Sequence, residues 1–146
     1  MGKGMRWSGI TLIELVVAVA IVAILTAIAV PNYQSYVKRS RRADAMIALQ
    51  RLANEQEQFY FDNNTYGTTF TGINLTGTSP DGYYTLSLSS VSTTLFIGRA
   101  TPVAGSSQAG TGVFEIRSTG EKGWDPGEDG TYECDWDDAN RGGDGC

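Results

Sequence analysis

ITLIELVVAVAIVAILTAIAV, residues 10 to 30, is the stretch that decides the fold of this 146-residue chain. Between Leu15 and Val30 its one polar residue is Thr26. As a helix, these 21 residues would be about 32 Å long, which matches the roughly 30 Å hydrocarbon core of a bilayer. A helix in a water-soluble core would have a polar face, and this run has none. The stretch therefore predicts a helix that resides in a membrane.

The composition of the chain argues against an enzyme. Histidine is absent, which removes the Ser-His-Asp and Cys-His nucleophile systems and most catalytic zinc sites. The two cysteines, Cys134 and Cys146, are too few for a four-ligand metal site but can form one disulfide. A chain of this length has room for one domain with one core. We therefore expect a protein that is not an enzyme and has no resident cofactor.

Charge is spread unevenly along the chain. The net charge is −5, yet residues 125–146 alone carry −7, from eight acids against Arg141, so the other 124 residues sum to +2. Such an acidic segment is expected to be solvated, and it disfavours nucleic acid as a partner there. The basic side chains form a cluster soon after the apolar run: Lys38, Arg39, Arg41 and Arg42.

Two interpretations of the N-terminal segment stay open. In the first, Lys3 and Arg6 form the basic region of an ordinary signal peptide, which is cut at Ala27-Ile28-Ala29. In the second, the cut precedes the apolar run and the helix is retained. The length of the run, the position of Glu14 at its head and the helical pattern that resumes after Pro31 favour the second interpretation.

The octapeptide Ser8-Gly9-Ile10-Thr11-Leu12-Ile13-Glu14-Leu15 follows a short basic leader and resembles the N-terminus of a type IV prepilin. The resemblance implies a leader of residues 1–9, cleavage between Gly9 and Ile10 by a prepilin peptidase, and N-methylation of Ile10. The family usually has Phe where Ile10 stands. The resemblance also implies that Glu14 pairs with the terminal amine of a neighbouring subunit and sets the register of the helices. A local alternative is a capping box between Thr11 and Glu14.

The helical pattern continues beyond the apolar run. Pro31 lacks a backbone donor and predicts a kink. After it, apolar side chains follow a three-four spacing that Gln56 interrupts and Asn63-Asn64 ends, which predicts a helix over 32–62. The members of this stripe are Ala45, Ala48, Leu49, Leu52, Ala53, Phe59 and Tyr60. Half of such a long helix needs lipid, or other helices, to cover it.

Short alternating runs follow the helix. They predict strands over Tyr84–Ser89, Thr94–Ala100 and Val113–Ser118, with a turn at Asp81-Gly82 and a bulge or close approach at Gly98. The predicted fold class is α+β, in which the long N-terminal helix packs on an antiparallel sheet of three to four strands, residues about 83–124. The sheet needs the helix to bury its apolar face.

The same region carries a second resemblance. Its segments Tyr83-Tyr84, Thr94-Leu95-Phe96, Ala100-Thr101-Pro102, Gln108-Ala109-Gly110 and Ser118-Thr119-Gly120-Glu121-Lys122 are similar to the C-terminal domain of PilE-like minor pilins. The resemblance implies the type IV pilin fold, with residues 32–146 as an exported head domain. If Cys134 and Cys146 pair, they close a final loop, residues 134–146; a free thiol pair is the alternative. Related pilins often place the first cysteine where this chain has Thr111-Gly112.

The acidic segment contains a partial calcium-loop pattern, Asp125-Pro126-Gly127-Glu128-Asp129-Gly130. Calcium binds clustered oxygen ligands, but Gly127 stands where a calcium loop has Asp or Asn. The candidate ligands are Asp125, Asp129, Glu133 and Asp135. The alternative, which we favour, is a solvated acidic loop.

The basic cluster and the neighbouring Tyr33 and Tyr36 allow a DNA patch, because cations beside aromatic rings suit phosphates and bases. We favour contact with lipid headgroups or with acids of adjacent subunits. Four basic residues follow the span and two precede it, so charge alone would place the head in the cytoplasm. The resemblance implies the opposite orientation, with the head exported.

Together these observations predict a structural subunit of a type IV pilus, most similar to a minor pilin. It would be held in the inner membrane by one span, residues 10–31, and then assembled helix to helix into an extracellular filament for pilus biogenesis, twitching motility or adhesion. Its expected partners are other pilin subunits, the prepilin peptidase and the inner-membrane assembly machinery. The alternatives are a DNA-receptor pilin for natural transformation and a pseudopilin of a type II secretion system.

Overall fold

The structure is a computed structural model and describes residues 10–132 and 134–141. The chain forms two compact units, Met1–Tyr36 and Val37–Cys146. Helix α1, Leu12–Asn63, begins in the first unit and ends in the second. The second unit continues with four strands and a short helix: β1 Tyr84–Val91, β2 Phe96–Pro102, β3 Val113–Arg117, β4 Lys122–Asp125 and α2 Trp136–Arg141.

The first unit is the apolar part of α1. Its large apolar side chains from Leu12 to Val30 are between 46% and 80% exposed. The helix is long and apolar enough to cross a membrane, and none of its most apolar 18-residue window is buried. The hydroxyl of Thr26 donates to the carbonyl of Val22 at 2.7 Å, so the one polar group of the run is satisfied within the helix. Pro31 lies inside α1, and the kink it predicts stays a prediction.

The sheet of the second unit is antiparallel, with strand order β1-β2-β3-β4. Three strands lie where the sequence predicts them, with ends shifted by one or two residues. The bulge in the β1–β2 ladder lies between Leu88 and Ser90. Gly98 instead marks a close approach, because a Cβ there would lie 2.6 Å from Cδ2 of Leu52 on α1.

The core lies between α1 and one face of the sheet. The predicted stripe is confirmed at Ala45, Ala48, Leu49 and Leu52, which are all buried. The sheet contributes alternate, inward-facing side chains, as the period of a half-buried strand requires. These are Tyr84, Leu86, Phe96, Ala100, Phe114 and Ile116. The order of helix, then sheet, with α1 covering the inner face, confirms the predicted α+β fold class.

The turn before β1 is held to α1 by a buried acid. Asp44 accepts the hydroxyl proton of Ser79 at 2.5 Å and the backbone N–H of Asp81 at 3.0 Å. Gly82 has φ +74°, which glycine adopts without steric cost. The turn predicted at Asp81-Gly82 is therefore confirmed. Because a buried carboxylate needs partners, Asp44 fixes the direction in which the chain enters the sheet.

Gln56, the interruption in the apolar stripe, is fully buried. Its side-chain amide donates to the carbonyl of Gly67 at 2.8 Å, and its side-chain oxygen accepts the N–H of Gly67 at 2.8 Å. Gln56 therefore provides hydrogen-bond partners for both the N–H and the carbonyl of Gly67, a buried residue that belongs to no helix or strand. The polar residue in the stripe thus holds the segment after α1 against the helix.

We expect Gln56→Leu to lower the free energy of unfolding by about 2 kcal/mol or more, since each buried backbone group left without a partner costs about 1–3 kcal/mol. The matched control is Gln58→Leu, the same substitution at an exposed position of α1, which should change stability by less than about 0.5 kcal/mol. Denaturant unfolding of the full chain in detergent, followed by the fluorescence of buried Trp124 and Trp136, measures both. Equal midpoints for the two variants would contradict the role given to Gln56.

Candidate functional site

The start of α1 carries the residues that the sequence singled out for processing and assembly. Thr11 precedes the helix, and its hydroxyl accepts the backbone N–H of Glu14 at 3.3 Å. The Thr11 side of the capping box is therefore present. In residues 10–132 and 134–141, no hydrogen bond or ion pair engages the carboxylate of Glu14. Ile10 is exposed, and Gly9, on the other side of the predicted cleavage point, lies outside the described residues.

Apolar exposure extends around the whole of this part of the helix. Each large apolar side chain that moves from water to an apolar environment gains about 1.5–3 kcal/mol. A run of this length cannot be left in water, and a monomeric soluble protein rarely exposes so large an apolar surface. The arrangement can therefore serve as a membrane span or as a helix-packing surface, and the same side chains suit both.

The second unit uses two members of the basic cluster for its own packing. The guanidinium of Arg41 lies 4.7 Å from the ring centroid of Tyr83, and Arg41 donates to the hydroxyl of Ser107. Arg42 lies 4.7 Å from the ring of Trp124. It also donates to the carbonyl of Ala139 in α2. The sequence favoured lipid headgroups or acids of adjacent subunits as partners of all four cations. It missed these contacts because the partners of Arg41 and Arg42 are distant in the chain.

The other two members of the cluster are not engaged in this way. Lys38 is exposed and Arg39 is half-buried. The two tyrosines that the sequence placed beside the cluster, Tyr33 and Tyr36, belong to the first unit and are exposed. Lys38 and Arg39 are thus the cations of this cluster that remain for headgroups, neighbouring acids or phosphates.

The carboxylates of the acidic segment bind backbone N–H groups. Asp125 is 2% exposed, and its carboxylate accepts the N–H of Gly130 at 2.7 Å and that of Asp129 at 3.4 Å. Asp129 accepts the N–H of Thr131 at 2.9 Å, and this hydrogen bond lowers the pKa of Asp129. The carboxylate of Asp135 accepts the N–H of Trp136 at 2.6 Å. These hydrogen bonds fix the backbone path of the loop.

In the part of the chain that the structure describes, no three acidic or cysteine side chains come together as a metal cluster. The candidate ligands Asp125, Asp129 and Asp135 thus do not form such a cluster of three side chains. The fourth candidate ligand, Glu133, lies outside the described residues. Calcium at this loop stays a prediction.

The segment after the loop is attached to the sheet. Cys134 is buried and disulfide-bonded, and its predicted partner, Cys146, lies outside the described residues. The backbone N–H of Trp124 donates to the carbonyl of Cys134 at 2.7 Å. The indole N–H of Trp136 is within 3.2 Å of the carbonyl of Glu115 and 3.1 Å of that of Gly123. A single ring thus bonds to two strands.

A buried acid on the outer face of the sheet escaped the sequence analysis. Glu115 is 2% exposed, and its two carboxylate oxygens lie 2.8 Å from Nε of Arg99 and of Arg117. These hydrogen bonds raise the pKa of both arginines. The ring of Tyr132 packs against Arg99 at 5.2 Å, and burial raises the pKa of its hydroxyl. Strand alternation could have revealed this ion pair, because it places Arg99 and Glu115 on the same outer face of the sheet. There the two residues are direct cross-strand partners.

Comparison with known proteins gives matches over different parts of the chain. The family model described as type IV minor pilin ComP, DNA uptake sequence receptor, matches residues 31–112. The type IV major pilin protein PilA of Myxococcus xanthus (strain DK1622) is 41% identical over 61 residues, which are 42% of this chain and 28% of that protein. The type II secretion system core protein G of Aeromonas hydrophila is 34% identical over 68 residues, which are 47% of this chain and 48% of that protein.

The matches therefore span less than half the length of these two curated relatives. Among solved structures, the non-core minor pilin PilV of Neisseria meningitidis is similar with a TM-score of 0.55 and 22% identity. The similarity covers 67% of this chain and 95% of that chain. At this identity it establishes a shared fold. It confirms the prediction of a long helix packed on an antiparallel sheet of three to four strands, and the sheet has four.

We expect Glu115→Gln to lower the free energy of unfolding by about 1–3 kcal/mol, because it leaves two guanidinium groups without their shared acid. The effect is smaller than for a fully buried ion pair, since the side chains of Arg99 and Arg117 are 38% and 44% exposed. The control is Glu121→Gln, whose side chain is 68% exposed and also pairs with Arg117, and which should cost less than about 1 kcal/mol. Thermal unfolding of the full chain in detergent compares the two, and similar losses would contradict the central role of Glu115.

Proposed function

Since the chain belongs to the family of type IV minor pilins, we propose that it is stored in the inner membrane and then assembled helix to helix into an extracellular filament. Pilins of this family are structural subunits, and we propose no catalytic activity. The proposed partners are other pilin subunits, a prepilin peptidase that cuts between Gly9 and Ile10 and methylates Ile10, and the inner-membrane assembly machinery.

The observation that carries this proposal is the contrast between the two parts of α1. In the second unit, the stripe from Ala45 to Leu52 is buried by the chain's own sheet. From Leu12 to Val30, nothing in the described residues covers the apolar side chains. Lipid tails and the apolar faces of neighbouring helices are nearly equivalent surroundings for them. The helix can therefore leave the bilayer for a helical bundle with little loss of free energy.

Glu14 is the polar group that this transfer must accommodate. An ionised carboxylate at the centre of a bilayer costs about 2.5–3.5 kcal/mol, and less near the end of a span. Cleavage after Gly9 would create a positive amine on Ile10. We propose that Glu14 of one subunit pairs with this amine of its neighbour and so sets the register of the helices. Support comes from the carboxylate itself, which no described residue engages.

We expect Glu14→Gln to reduce the fraction of the protein found in filaments about tenfold, which corresponds to a loss of about 1.4 kcal/mol of pairing. The variant should still accumulate in the membrane, because the amide leaves the apolar run intact. Asp62→Asn, an equivalent change at an exposed acid of α1, serves as the control and should assemble normally. Quantification of sheared filaments and membranes checks this, and normal assembly of Glu14→Gln would refute the pairing.

A DNA receptor is the second candidate function, and the matching family, described as a DNA uptake sequence receptor, favours it. We propose that Lys38 and Arg39 of the basic cluster contact the phosphates of DNA, since Arg41 and Arg42 already contact aromatic rings of the second unit. The acidic segment disfavours DNA on its own side of the head. A receptor of this kind would use few phosphate contacts, and few contacts give a shallow dependence of affinity on salt.

On the DNA-receptor proposal, the full chain in detergent binds duplex DNA with an affinity that falls as salt rises, and Lys38→Gln lowers the logarithmic salt slope by about one. Arg141→Gln removes the same charge from an exposed position of α2 and should leave the slope unchanged. Fluorescence anisotropy with a labelled duplex measures both. Absence of binding at low salt would dismiss the DNA-receptor function and leave the filament proposal intact.

A pseudopilin of a type II secretion system is the third candidate, because the core protein G of Aeromonas hydrophila is among the relatives. Such a protein would assemble through the same apolar helix but would not appear in filaments on the cell surface. The location of the assembled protein therefore separates this candidate from the pilus subunit.

A further inference from the structure

The head has a pocket of about 400 Å³ that is lined by α1, by residues 71–80 and by β1. Its lining includes two buried apolar side chains, Ala48 and Leu86, together with the half-buried Leu75. The volume lies within the roughly 300–1,000 Å³ of small-molecule sites. All of these residues belong to the second unit, so the pocket does not depend on the membrane part of α1.

Arg51 is the cation of this pocket. Arg41, Arg99 and Arg117 each bind a side chain of the head, whereas Arg51 has no hydrogen bond or ion pair within residues 10–132 and 134–141. The side chains of Thr71 and Asn74 also line the pocket and likewise have no partner there. The guanidinium, hydroxyl and amide are therefore available to a ligand of this pocket.

This set of groups selects a ligand by its chemistry. A guanidinium binds a carboxylate through two parallel hydrogen bonds. Hydroxyl and amide groups bind sugar hydroxyls, and the half-buried Leu75 offers an apolar surface to the C–H face of a pyranose ring. The described lining contains one cation, Arg51. A polyphosphate chain binds through several cations that displace its counterions, so this lining disfavours such a ligand. A ligand with one carboxylate on a sugar ring meets all three conditions.

We propose that the pocket around Arg51 binds a carboxylate-bearing sugar, with the guanidinium holding the carboxylate and the side chains of Thr71 and Asn74 holding ring hydroxyls. The site lies apart from the basic cluster discussed for DNA, and it needs neither filament assembly nor N-terminal processing. Its failure would therefore leave the filament proposal unaffected.

The test uses the full chain in detergent micelles and two acidic probes, a galacturonate trisaccharide and sialyllactose. Their methyl esters keep the sugar shape and remove the charge. We expect calorimetry to show that an acidic probe binds at least about tenfold more tightly than its ester, as a lost charge-assisted hydrogen bond implies. Absence of binding by both acidic probes at millimolar concentration, or equal binding of acid and ester, overturns the proposal.

Variants assign the binding to the pocket. Arg51→Gln should weaken binding of the acidic probe at least about tenfold, and Arg51→Lys should fall between it and the wild type because lysine lacks the planar fork. Thr71→Val should weaken the binding of the acidic probe and of its methyl ester by the same factor. Arg141→Gln, a matched loss of charge on α2, should bind as the wild type does. An unchanged unfolding midpoint shows that Arg51→Gln is folded, and wild-type affinity in that folded variant overturns the proposal.

Two further probes identify what the pocket recognises. Acetate carries the carboxylate without the ring and should bind far more weakly than the acidic sugar. If acetate competes as well as the sugar, the site is an anion site only and the sugar proposal is wrong. If duplex DNA displaces the acidic sugar from the wild type but not from a Lys38→Gln variant, the two ligands share a surface, which also overturns the proposal.

Discussion

The structure depends on how α1 is covered. In the head, one stripe of this helix is buried by four strands, and Leu49 and Leu52 are entirely removed from solvent. In the first unit, apolar side chains surround the helix and no described residue covers them. Water is an unsuitable environment for that surface, so the chain has to reside in lipid or among other apolar helices. The proposed transfer of this helix from the membrane to a filament rests on this one constraint.

Polar groups inside the head then give the packing its specificity. Gln56 satisfies the backbone of Gly67, Asp44 holds the turn before β1, and Glu115 joins two arginines across strands β2 and β3. Each group would be costly if its partners were lost, so each ties one segment to one position. The C-terminal segment is attached in the same way, through Arg42 and the indole of Trp136.

Much of the fold could be predicted because its elements rest on local periodicity. The helix end at Asn63, the inward side chains of β1 and the turn at Asp81-Gly82 all lie where the pattern placed them. Strand β4 was not singled out, because Lys122–Asp125 is only four residues long and carries no alternating apolar pattern. Gly98 was recognised as unusual, but only the approach of Leu52 shows that close packing rather than a bulge is the reason.

By itself, the sequence determined that the chain has a membrane-type helix, an amphipathic continuation and a half-buried sheet, because hydrophobic periodicity follows from backbone geometry alone. It also singled out Glu14, since a lone carboxylate in an apolar run is conspicuous in any context. Only the tertiary structure decided that Arg41 and Arg42 pack against the rings of Tyr83 and Trp124 and that Arg51 lines a pocket. Those outcomes depend on contacts between distant residues, as between Arg42 and Ala139, 97 positions apart, which no local pattern records.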